Sequence, residues 1–198
     1  MNRLKIFLLL FSLSLMATQV SWAQSIKPQS YSVAYWGEMI SHPGLKIEVN
    51  YILKNWDKRK QDKAGNEIIK DKMIVLSPSL GLYYHKRYQT GITPAISFSY
   101  LSVRDSKKTF GAGMGLGYLR TWVPNTYKIS ESGDMEKVIS SHNYAMNTIF
   151  LSWGRNLKQD GLIPSNIYVK PQFMLALPNF PNAVGYFMLE VGVKYQLN

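Results

Sequence analysis

The segment Tyr186–Leu197, YFMLEVGVKYQL, carries the clearest periodicity in the chain. Phe187, Leu189, Val191, Val193, Tyr195 and Leu197 fall on one face, and Tyr186, Met188, Glu190, Gly192, Lys194 and Gln196 on the other. Successive side chains of a strand point to opposite faces, so this run reads as a strand with one apolar face and one mixed face. The same alternation recurs upstream. Leu45, Ile47, Val49, Tyr51 and Leu53 alternate with Lys46, Glu48, Asn50 and Ile52. Ile167, Val169, Phe173, Leu175 and Leu177 oppose Tyr168, Lys170, Gln172 and Ala176, while Ile92, Ile96, Phe98 and Tyr100 oppose Thr93, Ala95, Ser97 and Ser99. Helical spacing is nowhere sustained after the first two dozen residues.

One further strand sets large side chains against minimal ones. Phe110, Met114, Leu116 and Tyr118 alternate with Gly111, Gly113, Gly115 and Gly117. A glycine row on one face lets a strand bend and leaves room for bulky groups opposite it in a narrow barrel. It is not a dinucleotide loop, because the spacing is G-x-G-x-G-x-G and no helix signal follows. Together the segments give about eight candidate strands, near 30–40, 44–54, 72–84, 91–103, 109–122, 142–154, 166–177 and 184–197. The first is the weakest, since Tyr31, Val33 and Tyr35 alternate but Trp36-Gly37-Glu38 breaks the pattern.

The chain start has a different character. Arg3 and Lys5 precede an apolar run from Ile6 to Ala17, and Ser21-Trp22-Ala23 places small residues at −3 and −1 of a cleavage site. This order is that of a secretory signal peptide over residues 1–23, with the mature domain expected at 24–198. The apolar run is too short to span a bilayer comfortably as a helix. Of the 198 residues 175 then remain, and the net charge of +11 falls to +9 as Arg3 and Lys5 leave. One domain is expected at this length. Without any Cys, disulfides, thiolate metal sites and Cys nucleophiles are excluded. Export removes nucleic acid as an expected partner of the basic chain. Lipid headgroups and lipopolysaccharide are the available anions.

No later apolar run approaches the length of a membrane helix, so entry into a membrane requires a closed barrel. Alternation alone also fits a soluble barrel with an apolar interior, and side-chain size separates the two. The face opposite the large groups carries Gly, Ser, Ala, Thr and a few charges, which suits a narrow lumen filled by side chains. Lys46, Glu48, Lys170, Glu190 and Lys194 all lie on that face, where they can form a polar network; facing lipid, each would cost about 2–4 kcal/mol at the midplane for Lys and less for Glu. Tyr51, Tyr84, Tyr100, Trp122, Trp153 and Tyr195 lie near segment ends, where interfacial girdles sit. The expected fold is therefore all-β, an antiparallel up-and-down transmembrane β-barrel in the outer membrane.

With both termini in the periplasm, the connections near 41, 87, 123–141 and 178–183 face outside, and those near 55–71, 105 and 155–165 face the periplasm. The connection at 55–71 is long and charged for a periplasmic turn. Either the flanking strands continue to a tight turn at Ala64-Gly65-Asn66, with Ser132-Gly133-Asp134 the tip of a similar hairpin, or residues 24–43 are not a strand and the orientation inverts.

His42-Pro43-Gly44-Leu45-Lys46-Ile47, Leu76-Ser77-Pro78-Ser79-Leu80-Gly81-Leu82-Tyr83-Tyr84-His85 and Leu189-Glu190-Val191-Gly192-Val193-Lys194-Tyr195 resemble segments of small, largely uncharacterised outer-membrane barrels of Bacteroidota. The resemblance implies location and fold but no reaction. The last strand is also similar to the C-terminal signal read by the barrel-assembly machinery, a partner during biogenesis, although Tyr195-Gln196-Leu197-Asn198 lacks a terminal aromatic residue.

Chemistry is sparse. Three scattered His residues and no Cys offer no metal-ligand spacing, and no cofactor is expected. Ser140 lies two residues before His142, with Glu131 and Glu136 the nearby carboxylates, a minimal pattern for a lipid hydrolase. His85, Lys86 and Arg87 at a strand end are candidates for contact with anionic headgroups, against the plainer reading of a solvated loop. Three functional classes stay open: a non-enzymatic barrel with a structural or loop-mediated binding role, a conduit for a small solute or hydrophobic ligand, and a lipid-modifying hydrolase.

Overall fold

The computed structural model describes residues 27–38, 43–61, 67–84, 89–104, 107–130, 133–157, 165–177 and 183–197. The segment 1–23, His42, Ala64-Gly65-Asn66, His85, Lys86, Arg87 and Glu131 lie outside the described residues. The described chain is all-β and holds no helix. Its strands are β1 (Ser30–Gly37), β2 (Gly44–Gln61), β3 (Glu67–Tyr84), β4 (Thr90–Arg104), β5 (Lys108–Ile129), β6 (Met135–Asn156), β7 (Asn166–Leu177) and β8 (Val184–Gln196). Each pairs antiparallel with its sequence neighbours, and β8 pairs with β1, so the sheet is a closed ring of hydrogen bonds without a free edge.

The register shows how the ring is staggered. Paired residues run from Ser32 through Glu48, Ser79, Ala95, Gly117, Met146 and Ala176 to Val184. Val184 lies five residues before Leu189, the partner of Gly37, so the circuit returns to β1 ten residues beyond its start. A stagger of ten residues at about 3.3 Å each, against inter-strand gaps of about 4.8 Å, tilts the strands by roughly 40°.

The doubtful first segment is a strand, and Trp36 is the reason its pattern looks broken: this large apolar side chain points inward, 1 % exposed. Two connections are much shorter than the alternation indicates. Most of 55–71 is strand, with Asn55–Gln61 paired to Glu67–Met73. Likewise Thr126–Ile129 pairs with Met135–Val138. Asn55–Gln61 carries Trp56 as its one large apolar residue, and before Thr126 a bulge shifts the phase of the alternation, so hydrophobic alternation misses both stretches.

Both hairpins reach beyond the ring. Past Asn50, β2 is paired to β3 alone; between Trp122 and Ala145, β5 and β6 are paired only to each other. The register shifts between Ile52 and Lys54 in β2 and between Val123 and Thr126 in β5, as β-bulges do. The β5–β6 tip closes through Gly133 N–H to the Ser130 carbonyl at 2.9 Å, with Gly133 at φ 88°, a left-handed position that glycine adopts without strain.

The glycine row faces inward. A Cβ on Gly113 would meet the Phe98 carbonyl and lie 2.5 Å from the Phe150 ring, whereas the closest approach at Gly115 is 3.3 Å. Gly113→Ala is therefore expected to lower stability by about 1–3 kcal/mol, and Gly115→Ala by less than about 1 kcal/mol. Denaturant unfolding followed by tryptophan fluorescence measures the difference.

Candidate functional site

The interior has three layers along the ring axis. At the end holding the β1–β2 and β7–β8 connections, Trp36, Tyr83, Leu119, Met146, Met174 and Met188 form an apolar core. Trp36 and Tyr83 meet edge-on with centroids 5.9 Å apart. Below this core lies a cluster of charges. Nearest the termini is a cavity of about 260 Å³.

The charge cluster is assembled across strands by small residues. Lys46 and Glu48 come from β2, Lys170 from β7 and Glu190 from β8. β1 runs between β2 and β8; its inward residues beside Glu48 and Lys46 are the small Ser32 and Ala34, with Trp36 next above them beside Glu190, so Lys46 reaches past β1 at Ala34. Lys46 Nζ stands 2.9 Å from Glu190 Oε2 and 3.5 Å from Glu48 Oε2. Lys170 Nζ lies 3.1 Å from Glu48 Oε2 and 3.0 Å from Glu190 Oε1. Lys170 and Glu190 are also register partners on β7 and β8. Two cations and two carboxylates thus alternate in a closed, neutral square.

Glu190 is the most heavily engaged member, at 0 % exposure. Besides both lysines, it accepts hydrogen bonds from the Tyr168 hydroxyl at 2.7 Å and the Gln172 amide at 2.5 Å. Gly192 makes the first of these possible, because a Cβ there would lie 2.8 Å from the Tyr168 hydroxyl oxygen. Lys170 also sits 5.0 Å from the Phe150 ring centroid and 5.4 Å from that of Tyr168, within cation–π range. Burial of ions is tolerable only with such full pairing.

Lys194 shares the inward face of β8, opposite Ser32 on β1 and Asn166 on β7, but its ammonium joins no ion pair or hydrogen bond among the described residues. It lines the cavity together with Lys170 and Glu48. The cavity also shows that the interior is filled by side chains only in its apolar and charged layers.

Sequence reading overlooked Tyr168 and Gln172 as partners of Glu190, although both share the parity of Lys170 on β7. It also overlooked the apolar core, since Trp36, Tyr83, Leu119 and three Met residues lie on faces whose other members are small or polar. Ser140 Oγ lies 3.1 Å from His142 Nε2, on the exposed hairpin beyond the ring. Among the described residues no carboxylate contacts His142, whose ring lies 6.4 Å from that of Tyr144. No grouping of His, Asp and Glu able to hold a metal occurs among the described residues. Comparison with known protein families, curated proteins and solved structures finds no match.

Removing one member of the square strands its partners. Glu190→Ala is expected to cost about 3–5 kcal/mol, because Lys46 and Lys170 stay buried with one carboxylate between them. A double-mutant cycle with Lys46→Met and Glu190→Gln is expected to give a coupling of about 1–3 kcal/mol by denaturant unfolding.

Proposed function

We propose that the protein is an eight-stranded transmembrane β-barrel of the outer membrane, closed to permeation, which acts by presenting a surface rather than by catalysis. The observation that carries this reading is an inverted distribution of polarity. Charged and polar residues such as Glu48, Asn50, Lys170, Gln172 and Glu190 are buried, while Leu45, Ile47, Phe98, Met114, Leu116, Ile149 and Phe187 are half or more exposed. A soluble protein rarely exposes so large and continuous an apolar surface.

The dimensions of the belt support the reading. On the outward face of β5, the first charges at either end are Lys108 and Arg120, with Phe110, Ala112, Met114, Leu116 and Tyr118 between them. Twelve residues at about 3.3 Å, tilted by roughly 40°, rise about 30 Å along the axis, the thickness of a bilayer's hydrocarbon core. Aromatic residues mark the termini end of the belt: Tyr31 stacks on Tyr195 at 5.1 Å, Phe110 meets Trp153 at 5.7 Å and Trp56 meets Tyr100 at 6.1 Å. Cations sit on these rings, with Lys54 5.9 Å from Trp56 and Lys72 5.5 Å from Tyr100. At the opposite end Arg120 lies 5.3 Å from Trp122. Rings at the interface with cations beside them suit phospholipid and lipopolysaccharide phosphates as lipid partners. Delivery by the barrel-assembly machinery belongs to the same reading, as does export through a cleaved signal over residues 1–23.

The apolar core around Trp36 and the charge square argue against a conduit. The exposed Ser140–His142 pair, which no carboxylate contacts among the described residues, argues against a hydrolase. What remains is the β5–β6 hairpin, raised beyond the belt with Tyr127, Ile129, Met135 and Ile139 all exposed, as the surface for a binding role. Its bulge brings Tyr127 and Ile129 onto the same side as Met135 and Ile139.

Membrane fractionation tests the central claim. The mature chain is expected in the outer-membrane pellet, with heat-modifiable migration on a gel, and recovery wholly in the soluble periplasm would refute it. Leu116→Arg, in the middle of the belt, is expected to cost about 2–4 kcal/mol in lipid, whereas Lys137→Glu on the raised hairpin changes stability by less than about 0.5 kcal/mol. Brominated lipids are expected to quench Trp153 and leave Trp36 bright in single-tryptophan variants.

A further inference from the structure

The charge square is neutral by itself, so Lys194 is a surplus cation inside the ring. It faces a cavity whose volume of about 260 Å³ compares with roughly nine water molecules at about 30 Å³ each. Glu48, the one carboxylate lining this space, is already held by Lys46 and Lys170. The walls differ in character. Ile52, Met73, Leu101 and Val103 from β2, β3 and β4 make one side apolar, toward the rim; Asn156 and Asn166 stand on the other. Asn166 is already bonded to Asn156 at 2.6 Å. An unpaired ammonium deep in the cavity, with an apolar wall leading away from it, is complementary to an amphiphile with one anionic head.

We propose that this cavity binds a small aliphatic monocarboxylate, its carboxylate on Lys194 and its chain along Ile52, Met73, Leu101 and Val103. The carboxylate completes the charge balance of the interior and accepts from Lys194 a charge-assisted hydrogen bond that no described residue accepts. The site lies within the ring, so the inference goes beyond the membrane reading and does not rest on it.

Equilibrium dialysis of radiolabelled octanoate against the purified mature protein in amphipol tests the proposal. Saturable binding near one per chain is expected, displaced by unlabelled octanoate but not by octanol, octylammonium or inorganic phosphate. Lys194→Gln is expected to weaken it by about tenfold or more, and Lys194→Arg by less than about threefold. Ser99→Phe, which fills the cavity and leaves the charges intact, is expected to abolish it. Circular dichroism and cooperative denaturant unfolding establish that each variant is folded. No saturable binding to the wild type, unchanged binding to folded Lys194→Gln or Ser99→Phe, or equal displacement by octanol or phosphate would each overturn the proposal. Partition into membranes is scored separately, so either reading can fail alone.

Discussion

A carboxylate removed from water must find its compensation nearby, and Glu190 finds it from four side chains on two other strands: Lys46 on β2, and Tyr168, Lys170 and Gln172 on its ring neighbour β7. Satisfying this one group links β2, β7 and β8 across the seam where the ring closes through β1. The seam strand is the shortest, and it contributes small side chains just where the bridging lysine passes. The demands of one buried charge and the requirement for closure therefore act together. A register slip of a single residue between β8 and β1 would turn Glu190 from interior to exterior and undo both.

The glycine and small-residue positions follow from the same crowding. A ring of this circumference holds few large groups at any level, so each bulky inward residue needs a minimal one close by. Phe150 lies against Gly113, Met146 against Gly117 and Tyr168 against Gly192. The apolar core and the charge cluster occupy successive levels. Below them, where serines and aliphatic residues make up much of the inner face, the cavity opens, with Phe150 and Tyr168 in its lining.

The alternation made most strands legible, along with the faces of Lys46, Glu48, Lys170, Glu190 and Lys194. Its failures have physical causes. Trp36 broke the pattern of β1 because the interior accepts a large indole at that level. The charged run from Lys54 to Arg59 concealed the far part of β2, because a strand that buries neither face needs no apolar alternation. Which ions pair is decided by register between distant strands, and period-two patterning carries no information about register. Thus Lys194, indistinguishable from Lys170 in the sequence, stands apart from the square. The contacts of His85, Lys86 and Arg87 belong to a segment outside the described residues.

The two bulges sit at the levels where β2 and β5 leave the ring, at opposite ends. A bulge offsets pairing by one residue, so strand beyond it is no longer in phase with the circuit that sets the stagger. Length added or removed between Arg59 and Ile69, or between Thr126 and Val138, then leaves the closed circuit untouched. Such sites act as splice points: the ring is a frame whose strand lengths are set by its geometry, and the hairpins are parts of free length. A protein built this way can vary what it presents on either side without renegotiating how it closes.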